Sequence, residues 1–250
     1  QNFIYFFIFF NKNILIQNGK ADTDPTLEKI RRCLGIELSD TLASAPICIL
    51  VEGPTDLRVY KKLLCDSSLK IRHAFEQSLI TMRATGGTKH LKVNIDIQRQ
   101  FLTKILILLD GDQSARDISQ NLITSGTING TEIRVIPAQK RPTSAEVELE
   151  DIFKPDLITS ALNDEFGSSF SVDDFKTVSD KWSVNFYNTA VSLGLCGKRE
   201  ELLNTAKMSI SQAIEREGLP ALREEYKKYI SGISSLLEQM IVEHETTGEN

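Results

Sequence analysis

Ile47-Cys48-Ile49-Leu50-Val51-Glu52-Gly53-Pro54-Thr55-Asp56 places a carboxylate at the end of five apolar residues, then a Gly-Pro stop, then a second carboxylate. The run does not alternate with polar residues. It reads as a strand buried on both faces of a parallel sheet. Gly53-Pro54 makes a tight turn into an amphipathic helix, Leu57 to Leu64, with Val59, Leu63 and Leu64 on its apolar side. Asp56 falls in the first helical turn and points back toward the strand edge. The pattern recurs at Ile105-Leu106-Ile107-Leu108-Leu109-Asp110-Gly111-Asp112, again an apolar strand stopped by acids.

Between and beyond these stretches, strands and helices alternate. Leu79 to Ala84 read as a strand, Gly86-Gly87 as a turn, and roughly Lys89 to Phe101 as a helix. Ala115 to Thr124 read as a helix, Asn129-Gly130 as a turn, and Ile133 to Ile136 as a fourth strand. The expected fold is α/β, a Rossmann-like parallel sheet flanked by helices with right-handed crossovers. After Asp151 the signal turns helical, with Arg199 to Glu215 and Leu222 to Glu243 separated by Gly218-Leu219-Pro220. Thr246 to Asn250 are expected to fray. Upstream, Thr26 to Leu34 read as a short helix ended by Gly35. Ile4 to Phe10 and Ile14 to Ile16 flank Asn11-Lys12-Asn13 and read as a β-hairpin. The first run is too short to cross a bilayer as a helix and lacks the basic start of a signal peptide. The chain begins at Gln1, so the hairpin is expected to be the last piece of a preceding domain. Four regions follow: a hairpin at 1–20, a helical linker at 21–45, an α/β domain at 46–155 and a helical region at 156–250.

The 250 residues carry a net charge of −5 with 41% hydrophobic residues, ordinary for a globular protein and unlike a general basic nucleic-acid binder. A local basic rim remains compatible with that balance. Cys33, Cys48, Cys65 and Cys196 form no CxxC pair, which argues against zinc and against a disulfide framework. Cys48 and Cys65 read as buried thiols, and a reducing cytoplasm fits.

Ligands of open parallel sheets bind at the carboxyl ends of the strands, where Glu52 and Asp110 stand. Asp110 and Asp112, two apart in an extended segment, are expected to leave the same face, with Gly111 allowing a tight bend near a ligand. Carboxylates gathered at one edge repel, and a divalent cation relieves the repulsion. The plain alternative is four solvated acids, but surface acids do not usually end two separate buried strands. Either pattern alone is weak, since an isolated DxD equally suggests a sugar-nucleotide transferase or an aspartate-dependent phosphatase. The two patterns together, at βαβ spacing, are fairly specific.

Glu52, Gly53, Asp56, Gly86-Gly87 and Asp110-Gly111-Asp112 resemble the Toprim domain of primases, topoisomerases and several nucleases. Leu34-Gly35-Ile36-Glu37-Leu38-Ser39-Asp40 followed by Val51 to Asp56 is most similar to the overcoming-lysogenization-defect family, which joins an ABC-type ATPase to a C-terminal Toprim nuclease. The resemblance covers residues 25–155 well and the remainder loosely. It makes 46–155 the catalytic domain. No GxxxxGK[ST] loop occurs in the chain, so an ATPase would be a preceding domain or another chain. The resemblance implies a metal-dependent DNA endonuclease in defence against phage or foreign DNA, and a homo-oligomer is compatible with it.

In the family, further acids follow the DxD strand, and Glu148-Leu149-Glu150-Asp151-Ile152-Phe153 matches that stretch. Glu150 is the favoured metal ligand and Glu148 the alternative, one of the two being merely solvated. The resemblance also implies a downstream lysine, Lys207 within Ala206-Lys207-Met208, with Lys198 in reserve. Mg²⁺ or Mn²⁺, as two ions, would be held by Glu52, Asp56, Asp110, Asp112 and Glu150. Glu52, Asp110 and Lys207 would carry the chemistry. Lys89, Lys140 and Arg141 are the candidate nucleic-acid contacts, although solvated charge is the plainer reading of such residues. His90 reads as incidental, and Trp182, Phe186 and Tyr187 as core. Two other readings stand beside the nuclease: a Toprim primase or topoisomerase fragment, and a non-catalytic module that binds an ATPase.

Overall fold

The computed structural model describes residues 4–10, 13–19, 45–101, 103–138, 146–175 and 181–247. The chain divides into two compact units, Gln1–Ser44 and Ala45–Asn250. In the first, β1 (Ile4–Phe10) pairs antiparallel with β2 (Asn13–Gly19), from Ile4 opposite Gly19 to Phe10 opposite Asn13. The expected hairpin is therefore present, with Asn13 inside its second strand. The expected helix at Thr26 to Leu34, and Cys33, lie outside the described residues.

The second unit is built on four parallel strands. In chain order these are β3 (Ile47–Val51), β4 (Ile80–Ala84), β5 (Lys104–Leu109) and β6 (Ile133–Val135), arranged in space as β4-β3-β5-β6. Eight helices flank them among the described residues: α1 (Pro54–Ser67), α2 (Leu69–Glu76), α3 (Leu91–Gln100), α4 (Gln113–Thr124), α5 (Pro155–Phe166), α6 (Trp182–Ser192), α7 (Arg199–Glu217) and α8 (Glu224–Thr247). This is the α/β parallel-sheet architecture expected from the sequence. α8 runs through Thr247, into the segment expected to fray.

Alternation along each strand explains the unbroken apolar runs. Ile47, Ile49 and Val51 of β3 join Leu106 and Leu108 of β5 in a core that also takes in Leu63 of α1, Ile210 of α7 and Leu237 of α8. Cys48, Leu50, Ile105 and Ile107 point the other way, toward Leu91 and Ile95 of α3 and Ala115 and Leu122 of α4. Both faces are covered, so the buried stretches Ile47–Val51 and Ile105–Leu109 are apolar throughout, and the one charged residue of these two strands, Lys104, stands at the half-buried start of β5. Phe170, Phe175, Trp182 and Phe186 stack in the larger core, with the Trp182 and Phe186 rings 5.2 Å apart. Trp182 and Phe186 are packing residues, as the sequence suggested, and Tyr187 is half-buried against the same core.

β3 continues to β4 on one side, whereas β5 returns to the other side of β3 and pairs with it from Ile47 opposite Lys104 to Leu50 opposite Ile107. The strand order reverses between β3 and β5. A crevice opens outside the carboxyl ends at such a point.

Candidate active site at the ends of β3 and β5

Glu52 and Asp110 are the residues that follow β3 and β5. The adjacent parallel register brings them together: the Asp110 backbone N–H donates to Glu52 Oε1 at 3.1 Å. Asp110 Oδ1 accepts from the Leu149 N–H at 3.0 Å, which ties the segment after β6 to the same edge. Beyond β3, the N–H groups of Gly86 and Gly87 both reach the Glu52 carbonyl at 3.1 Å. Gly86 has φ of 75° and Gly87 of 101°, the left-handed region that a side chain disfavours, so the glycine pair is required for this wrap.

Pro54 opens α1 at its first turn, where its missing N–H costs nothing. Asp56 Oδ2 accepts from the Gly53 N–H at 2.8 Å and is fixed facing the end of β3. Glu52, Asp56 and Asp110 line a cleft of about 660 Å³ whose other wall is α7, including Arg199, Asn204 and Lys207. Glu150 sits behind Asp56 and Lys207, and Lys207 Nζ is 3.3 Å from Glu150 Oε2. That carboxyl oxygen is buried and has no hydrogen-bond partner among the described residues.

The electrostatics follow from this crowding. Burial pushes the Glu52 carboxyl above the usual range, the Asp110 N–H pulls it down, and the charges of Asp112 and Asp56 raise it again. Asp110 is raised well above its ordinary value, first by burial, with Lys207 opposing and Asp56, Glu52 and Glu150 adding. Glu150 is pushed up to about 7, again chiefly by burial and against the pull of Lys207. Burial disfavours the Lys207 ammonium, but Glu150, Asp110, Glu148 and Asp56 outweigh it and hold the lysine protonated. One ammonium thus stands among several carboxylates that all resist ionising together.

The other nominated residues go elsewhere. Asp112 Oδ1 caps α4 through the Ala115 N–H at 2.8 Å, and its Oδ2 faces Lys181 at 3.5 Å. Asp112 does not line the cleft, so the expected common face with Asp110 is lost: the chain leaves strand geometry at Asp110 and turns into the cap. Gly111 is demanded by the protein itself, because a Cβ there would collide with the Ile136 carbonyl and crowd Val147. Glu148, expected to be solvated if Glu150 is functional, is buried and accepts from Ser183 N–H at 2.7 Å and Ser183 Oγ at 2.9 Å, capping α6. Lys198 is 84% exposed at its side chain and faces Glu201. Lys89 and His90 are exposed and do not line the cleft. Lys140 and Arg141 lie outside the described residues. Cys48 is a buried thiol pushed up to about 12, chiefly by burial, whereas Cys65 is half-buried and Cys196 exposed.

Sequence reading missed Lys181, which faces Asp112, Glu146 and Glu148, and Arg199, which stacks 5.1 Å over the Tyr187 ring and lines the cleft. Neither carries a local signal, since a cation beside a helix start, alone as Lys181 or next to Lys198 as Arg199, is ordinary. Among the described residues no three His, Cys, Asp or Glu side chains form a ready-made metal-ligand group, and no helix is long and apolar enough to cross a membrane. Family models, curated proteins and solved structures offer no match to this chain.

Proposed function

We propose that residues 45–250 are a Toprim-type, divalent-metal-dependent phosphodiesterase that cuts DNA. We further propose that they serve a cytoplasmic, overcoming-lysogenization-defect-like defence nuclease with an ATPase as partner. The observation that carries the reading is the Asp110 N–H to Glu52 Oε1 contact, which joins two strand-end acids 58 residues apart at a switch point.

The donor set fits a hard cation. Glu52 and Asp110 each use one oxygen on a backbone N–H, and no hydrogen bond engages the second oxygen among the described residues. Their pKa values are raised first by burial and then by the neighbouring carboxylates, and a positive ion would offset both. All the candidate ligands are oxygens, which favours Mg²⁺ or Mn²⁺ over zinc. Glu52, Asp56 and Asp110 would hold one or two such ions, with Asp112 and Glu150 close behind, and the bound ions would supply Lewis-acid polarisation and an activated water. Lys207 keeps its proton at Nζ and faces the cleft, where an ammonium can bind a phosphoryl oxygen as negative charge builds. Asp56 and the Gly86-Gly87 wrap hold the Glu52 segment in place.

A tyrosine-dependent strand-passage reaction finds less support. Tyr60 and Tyr229 are hydroxyl to hydroxyl at 3.3 Å, and Tyr60 is buried. Supercoiled plasmid incubated with the chain and Mg²⁺, Mn²⁺ or EDTA tests the proposal. Nicked or linear product that requires metal is expected. Relaxation without lasting breaks would point to a topoisomerase, and intact plasmid under every condition to a non-catalytic module.

A further inference from the structure

Of the cations nominated for nucleic-acid contact, Lys89 does not line the cleft and Lys140 and Arg141 lie outside the described residues, so the groups that would grip a polyanion are sought elsewhere on the described surface. The cleft wall includes Met208, and Arg58 Nη1 on α1 reaches Met208 Sδ at 3.4 Å. On the far side of that contact a second groove, of about 520 Å³, is lined by Leu57, Arg58, Lys61, Lys62, Cys65 and Glu215. The groove and the cleft therefore adjoin at Arg58.

Arg58 and Lys61 are exposed, one helical turn apart on the same face, and form no ion pair among the described residues. Lys61 Nζ stands over the Phe75 ring, 5.5 Å from its centre, an exposed cation–π contact that neutralises no charge. Lys62 differs: it is bound to Asp66 at 3.0 Å. On a chain of net charge −5, with an acidic cleft, two cations outside ion pairs in the adjoining groove form a local attraction for an anionic polymer.

We propose that Arg58 and Lys61 form a backbone-phosphate track that carries DNA out of the cleft along α1. This inference rests on the nuclease reading and names where its substrate runs. Phosphate contacts of this kind position the nucleic acid without reading its sequence.

The test is binding of a fluorescent DNA duplex by the chain carrying Asp110→Asn, so that the duplex stays intact, over a series of salt concentrations. Arg58→Gln/Lys61→Gln is compared with Lys92→Gln/Lys228→Gln, an equal charge change at two exposed lysines that line neither the cleft nor the groove. The first pair is expected to weaken binding about tenfold and to flatten the plot of log K against log salt by about 1 to 2, since each phosphate contact contributes roughly 0.9 to that slope. The second pair should leave both unchanged. Equal effects of the two pairs overturn the track. A parallel plasmid assay on the parent chain separates the failures. Cleavage by the parent with no effect of Arg58 and Lys61 on binding overturns the track alone. Track-dependent binding without cleavage overturns the nuclease alone. A parent that neither binds nor cuts overturns both.

Discussion

Lys207 and Lys181 each sit among carboxylates, and the two clusters are built for different ends. Around Lys207, Glu52 and Asp110 each engage one oxygen with a backbone N–H, and Glu150 Oε2 has no hydrogen-bond partner among the described residues. Around Lys181, Asp112 caps α4, and Glu148 accepts two hydrogen bonds from Ser183. The first cluster lines an open cleft and its acids are pushed up in pKa. The second satisfies helix starts, where orphan N–H groups stabilise negative charge. Acid clusters are therefore distinguished by what their oxygens already hold, not by how many acids they contain.

The largest expected effect breaks the first cluster. Glu52→Gln and Asp110→Asn keep the backbone contacts, since an amide oxygen still accepts from the Asp110 and Leu149 N–H groups. Plasmid cleavage should fall by on the order of 10³-fold, the equivalent of several kcal/mol of lost charge stabilisation, with the circular dichroism spectrum unchanged. Full activity in Asp110→Asn would remove this cleft from consideration.

The next effect is pH-dependent. Glu150 is raised from 4.5 to about 7, and Glu52 and Asp110 are raised in the same direction. An acid with a raised folded-state pKa favours the fold while protonated and loses that contribution as pH rises through the folded value. Metal-free folding stability should therefore fall between about pH 4.5 and 7, by at most on the order of 3 kcal/mol for Glu150, and the melting temperature with it. Glu150→Gln should flatten this fall, and a melting curve unaffected by the substitution would contradict the assignment.

The second cluster predicts the opposite phenotype. Glu148→Ala strands the buried Ser183 N–H and hydroxyl and should cost about 2 kcal/mol in urea unfolding. Cleavage per folded molecule should persist. Smallest of all is Lys181→Met, expected to cost under about 1 kcal/mol, because its contacts are 3.5 to 4.0 Å and partly solvated. A larger loss than that of Glu148→Ala would reverse the ranking of charge pairing below helix capping in this cluster.

The apolar runs of β3 and β5, the Gly53-Pro54 stop and the acids at the strand ends are local, and the sequence by itself determined them. A strand covered on both faces must be apolar to its last residue, so the first carboxylate marks its end. The helix at Pro54–Ser67 and the conformation of Gly86-Gly87 follow from equally local rules. The tertiary structure decided which acids share a cleft. Only the order β4-β3-β5-β6 brings Glu52 beside Asp110 and lets α7 deliver Lys207 to Glu150. It also sent Asp112 and Glu148 into helix caps, a fate that depends on where an N–H stands unsatisfied in space and that no spacing along the chain reveals.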